Sequence, residues 1–133
     1  MAKRSARFNF RRVLTPIGFV RVPTARVVLS HGRKTVELEM TIDSGADLSM
    51  IPYQVGVGLG LATGKTVHNL SGVAGGLPYL LRRVLFRLGP FSFHARVAWA
   101  QRDDVPILLG RAGVFDRFAI TFDEHRNSVT FRA

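Results

Sequence analysis

The sequence predicts an all-β domain, on three observations. Apolar and polar residues alternate through residues 35–42 and 91–99, as half-buried strands require. The strand-like runs are short, and Gly, Pro and Asn punctuate them at regular intervals. Helical patterning is confined to residues 53–61 and 112–118, each long enough for one or two short turns of helix. A length of 133 residues suits one domain, and no repeat or low-complexity tract divides it.

Taken in order, residues 1–13 form a basic N-terminal segment, mobile or at a sheet edge, with Phe8 and Phe10 as possible anchors. The domain proper is assigned to residues 14–133. Phe19-Val20-Arg21-Val22 alternates, and Ala25-Arg26-Val27-Val28-Leu29 continues it beyond Pro23. His31-Gly32 is a turn signal, and residues 35–42 return as the second arm of a hairpin ending at Asp43. Residues 67–70 are a short strand candidate. Ser71-Gly72-Val73-Ala74-Gly75-Gly76-Leu77 is uncharged and rich in Gly between two strands, the composition of a flexible hairpin tip.

Residues 78–88 read as a strand with Arg82, Arg83 and Arg87 toward solvent. After the Gly89-Pro90 turn, Phe91, Phe93, Ala95, Val97 and Trp99 share one face, and His94 falls on the other. Residues 101–104 are a polar loop. Residues 105–111 are a short buried strand ending at Gly110-Arg111. Residues 118–123 and 128–131 close the domain as a hairpin.

Composition narrows the function. Hydrophobic residues make up 47% of the chain, enough for a packed core and against disorder. The absence of cysteine excludes disulfides and thiolate metal sites. No apolar run approaches the roughly 20 residues that span a bilayer, and residues 1–12 lack the apolar stretch of a signal peptide. The expectation is a soluble, cytoplasmic protein with no membrane span. A net charge of +10 raises the question of an acidic partner. Most of the basic residues are scattered singly, and only Lys3, Arg4, Arg7, Arg11 and Arg12 cluster. No helix-turn-helix, zinc-finger or RNA-binding signature accompanies them, so nucleic acid is not the expected partner.

The stretch that carries chemistry is Met40-Thr41-Ile42-Asp43-Ser44-Gly45-Ala46-Asp47. A strand delivers a carboxylate, Asp43, to its end, and a tight turn follows. Gly45 stands where the backbone must take positive φ or admit another chain closely. Asp-Ser-Gly-Ala-Asp after a strand, a Gly-rich hairpin midway and Leu108-Leu109-Gly110-Arg111 near the end together resemble the retropepsin-like aspartic protease family. The similarity covers roughly residues 17–133. It implies a closed, β-barrel-like acid protease fold that works as a homodimer on a peptide or protein substrate.

The chemistry explains the dimer. Peptide hydrolysis needs a more nucleophilic water and a more electrophilic carbonyl, and two carboxyls sharing one proton supply both. Close carboxylates resist joint ionisation, so their titrations split and belong to the pair. Neither metal nor cofactor is required. Asp43 lies in the single Asp-Ser/Thr-Gly of the chain. The second carboxylate must come from another copy, most simply across a twofold axis.

The resemblance implies further roles. Asp43 is the catalytic carboxylate. Ser44 matches the hydroxyl that braces the two loops across the axis, and Gly45 the backbone that contacts dyad and substrate. Ala46 completes the loop. Asp47 matches a carboxylate near the substrate backbone, placed to pair with Arg111 in a bidentate fork. Gly72, Val73, Ala74, Gly75 and Gly76 match the flap, although the tip reproduces neither the retroviral nor the pepsin pattern. The activity implied is that of an aspartic endopeptidase. The alternatives are a non-catalytic dimeric peptide-binding or scaffolding module of the same fold, and a basic protein that uses residues 3–12 on nucleic acid.

Overall fold

Asp43 is positioned by a long hairpin. In the computed structural model, which describes residues 4–64, 67–70 and 76–133, the alternating residues 35–42 fall within strand β5 (Lys34–Ile42). Its partner is β4 (Thr24–His31), with Val27 opposite Leu38 and Ala25 opposite Met40. Val27, Leu29, Met40 and Ile42 are buried, so the pair turns one face inward. Gly32, with φ +60, makes the turn between them.

Ten strands flank or follow this hairpin. They are β1 (Ser5–Asn9), β2 (Arg11–Thr15), β3 (Gly18–Val22), β6 (Ser49–Ile51), β7 (His68–Leu70), β8 (Leu77–Leu88), β9 (Phe91–Ala100), β10 (Leu108–Leu109), β11 (Ala119–Asp123) and β12 (Ser128–Arg132). One helix, α1 (Tyr53–Gly58), follows β6.

The main sheet runs β4-β5-β10-β6-β9-β8, and β8 pairs back onto β4 through Val28–Arg87 and Leu29–Phe86. Six strands thus close into a barrel, which removes the edges that an open sheet would expose. β7 adds to the outer end of β8. The barrel interior holds Val27, Leu29, Val84, Phe86, Val97 and Trp99. As the alternation of β9 predicts, Phe91, Phe93, Ala95, Val97 and Trp99 are all buried, and His94 is exposed.

A second sheet, β1-β12-β11, joins the two ends of the chain. Ala6 and Phe10 are buried, and Phe8 meets the ring of Phe131 edge-on at 5.9 Å. β1 is therefore an edge strand with apolar anchors in it and at Phe10 just beyond it, and β12 is paired on both sides. β2 and β3 form a separate two-stranded hairpin. The sequence reading takes residues 19–22 as a strand running on beyond Pro23 and leaves residues 1–13 as a basic segment, so it does not anticipate the pairing of Arg11–Thr15 with Gly18–Val22.

Three local expectations are corrected. Residues 112–118 form turns rather than helix: Phe115 N–H bonds Arg111 O at 2.9 Å, but Gly113 at φ +73 prevents propagation. Arg82 is half-buried rather than free in solvent. It shares the inward parity of Leu80 and Val84, and its guanidinium reaches Ala62 O at 2.7 and 3.0 Å. Strand pairing within residues 105–111 is limited to β10.

Candidate active site

The loop that carries Asp43 lies between β5 and β6, and β10 lies between those strands in the sheet. Leu108 and Leu109 run parallel to Thr41 and Ile42, and Leu108 also faces Met50. The sheet therefore holds both ends of the loop. Asp43 N–H donates to Leu109 O at 3.0 Å, so the residue leaves the sheet at a defined position.

Inside the loop, Asp43 Oδ1 accepts the Gly45 N–H at 2.9 Å, and Asp43 O accepts the Ala46 N–H at 3.2 Å. A Cβ on Gly45 would lie 3.2 Å from Asp43 Oδ1, tighter than ordinary contact. Glycine thus lets the turn close on the carboxylate. Asp43 is half-buried, while Ser44 and Gly45 are exposed. The loop presents its carboxylate, its hydroxyl and its glycine backbone outward.

The strand end after β10 clamps the far side. Arg111 N–H donates to Ala46 O, and Ala112 N–H to Asp47 O, both at 2.9 Å. Asp47 and Arg111 line one cleft of about 440 Å³ together with Ala112, Phe115 and Asp116. Their side chains make no ion pair: among the described residues the salt bridges lie elsewhere. The expected Asp47–Arg111 fork is replaced by backbone bonds between the two segments, and both side chains remain exposed. Asp43 is not in the lining of this cleft.

Sequence reasoning missed Ser49. Its side chain is fully buried, and its Oγ accepts the Gly110 N–H at 3.0 Å. A serine inside the apolar Leu48-Ser49-Met50-Ile51 run was the available signal, because a buried hydroxyl needs a partner.

Of the flap expectation, Gly72, Val73, Ala74 and Gly75 lie outside the described residues. Gly76 is described, at φ +75 beside Asn69, next to the antiparallel pairing of β7 with the start of β8. Among the described residues, no group of three His, Asp or Glu side chains is placed to hold a metal ion. No described helix is long and apolar enough to cross a membrane.

The architecture has counterparts among solved structures. A retropepsin-like aspartic protease from Rickettsia conorii is similar over 99% of this chain and 94% of its own, with a TM-score of 0.62 and 13% identity. The EIAV protease in complex with the inhibitor HBY-793 is similar over 68% of this chain and 82% of its own, with a TM-score of 0.53 and 24% identity. No family model and no curated protein matches the sequence. At these identities the likeness concerns the fold. A six-strand barrel closed by β8 on β4, with a carboxylate loop held between β5, β10 and β6, is a retropepsin-like fold.

Proposed function

We propose that the chain is an aspartic endopeptidase whose active site forms between two copies, each contributing Asp43. The observation that carries this reading is the Asp43 loop itself. Its carboxylate emerges at the end of a barrel strand, is held by the Gly45 N–H, and sits in a loop bonded on both sides to residues 109–112. Such fixed placement suits a group that must meet its counterpart across a twofold axis within hydrogen-bond reach.

In the dimer, one Asp43 carboxylate takes a proton from the attacking water. The protonated partner donates a hydrogen bond to the substrate carbonyl. The proton then passes to the leaving amine, and the dyad regains its single shared proton. Ser44 is exposed beside the carboxylate, where its hydroxyl can bond the facing loop. Asp47 and Arg111 stand on the two segments that brace the Asp43 loop, through Arg111 N–H to Ala46 O and Ala112 N–H to Asp47 O.

The test is cleavage of a peptide library from acid to neutral pH, with wild type and Asp43→Asn compared at equal dimer content. The reading expects wild-type cleavage, inhibition by a statine-type mimic, and loss of at least about a thousandfold in the variant. Undiminished cleavage by Asp43→Asn would overturn it. A dimer that binds peptides tightly but leaves them whole would favour the non-catalytic module.

A further inference from the structure

The β2–β3 hairpin has a side that the barrel does not use. Its register places Leu14 opposite Phe19 and Arg12 opposite Arg21. Positions two apart on a strand share a face, so these four side chains lie together in two successive rungs. Leu14 and Phe19 are 69% and 59% exposed, and Ile17 in the turn is 88% exposed. Three of the seven large apolar side chains that the described residues leave exposed thus crowd into six positions.

The charges on this face are ordered as well. From the tip inward come Ile17, then the Leu14–Phe19 rung, then the Arg12–Arg21 rung, roughly 7 Å further back. Arg12 and Arg21 face each other directly, a like-charge arrangement that destabilises a bare sheet. Among the described residues neither makes an ion pair, whereas Arg11, on the other face, reaches Glu39 at 3.8 Å. Residues 11–22 contain no Asp or Glu.

The tip is preorganised. Thr15 Oγ1 donates to Gly18 O at 2.8 Å and accepts the Ile17 N–H at 3.3 Å. Gly18, at φ +104, closes the turn. The Arg12 guanidinium lies 3.9 Å from the centre of the Phe19 ring, so cation and aromatic are held as one unit.

We propose that this hairpin docks on an anionic lipid bilayer. Ile17, Leu14 and Phe19 enter the acyl boundary, and Arg12 and Arg21 meet the phosphate layer. The depth is compatible: interfacial segments bury their apolar side by about 5–10 Å, and the arginine rung lies roughly 7 Å behind the Leu14–Phe19 rung. Charge complementarity selects this occupant over a second copy of the chain, which carries a net charge of +10 and would bring more positive charge to two unpaired guanidiniums. The attachment is peripheral and does not depend on the peptidase reading.

The test is sedimentation of the full chain with sucrose-loaded vesicles of phosphatidylcholine, with or without about one-third phosphatidylserine. Wild type is expected to partition onto the anionic vesicles, less so as salt rises. Arg12→Gln/Arg21→Gln should weaken binding about thirtyfold, at about 1 kcal/mol per lost cation. Leu14→Ser/Ile17→Ser/Phe19→Ser should weaken it at least tenfold with charge unchanged. Arg83→Gln/Arg96→Gln, on the barrel wall, should retain most of it, which separates the hairpin from the general positive charge. In Phe19→Trp, vesicles should shift indole emission to the blue. Equal partition of wild type and the triple Ser variant overturns the proposal. So does a triple variant that loses dimerisation in sedimentation velocity while its vesicle binding stays at the wild-type level, since a second copy would then cover the hairpin. Unchanged circular dichroism and melting confirm that each variant is folded.

Discussion

The backbone N–H of Gly110 donates to the buried Oγ of Ser49 at 3.0 Å, joining positions 61 residues apart in the chain. This bond sits behind the Asp43 loop, where β6 and the end of β10 meet. Gly110 must also be glycine, since a Cβ there would overlap the carbonyl carbon and oxygen of Leu48 and approach Ser49 N to 2.8 Å. Ser49→Ala should cost about 1–3 kcal/mol by stranding a buried donor. Gly110→Ala should cost more, because the obstacle is backbone and cannot rotate away. Urea titrations of both variants measure this, and a Gly110→Ala midpoint equal to wild type would contradict the packing described.

Trp99 and Gly56 are a second interlocked pair. The indole stacks on Tyr53 at 5.6 Å and donates its N–H to Tyr53 O at 3.0 Å. A Cβ on Gly56 would overlap the indole ring. Gly56→Ala is therefore expected to displace Trp99, destabilise the domain by about 1–3 kcal/mol, and change the emission of the single tryptophan. Denaturation followed by fluorescence reads both effects.

Arg83 and Arg96 face each other across β8 and β9, both exposed. Replacing one by an acid converts repulsion into attraction. Arg83→Glu should stabilise the domain by about 0.5 kcal/mol at low salt, and the gain should shrink as salt rises. Thermal melts at two ionic strengths test it.

Arg102 and Asp104 form a two-pronged ion pair in the loop after β9. Hydrogen bonding to the guanidinium, foremost, holds the Asp104 carboxyl below its usual range. The pair thus favours the folded state above the ordinary carboxylate pKa. Its contribution is lost as pH falls through the lowered value. The same loop bonds the start of α1: Tyr53 N–H meets Arg102 O at 3.2 Å, and Gln54 N–H meets Asp103 Oδ1 at 2.9 Å. NMR titration of the Asp104 carboxyl should give a midpoint below that of an ordinary aspartate, returning to normal in Arg102→Gln.

The legible parts of this protein were those encoded by neighbours in sequence. Alternation along residues 35–42 and 91–99 determined which side chains enter the barrel, because strand periodicity assigns faces without reference to a partner. The Asp43-Ser44-Gly45 turn was legible for the same reason, as were the short helix from Tyr53 and the turn at Gly32. Contacts between distant segments were decided only by the tertiary structure. The acceptance of Gly110 N–H by Ser49 and the reach of Arg82 to Ala62 O depend on how strands stack. Asp47 and Arg111 show the boundary: sequence placed both beside the loop, but folding joined their segments through backbone bonds, with no ion pair between the two side chains. Composition counted the arginines, and only strand register set Arg12 against Arg21 behind an apolar tip. Local pattern carries the direction of a side chain, whereas its partner is chosen by the packing of elements far apart in the chain.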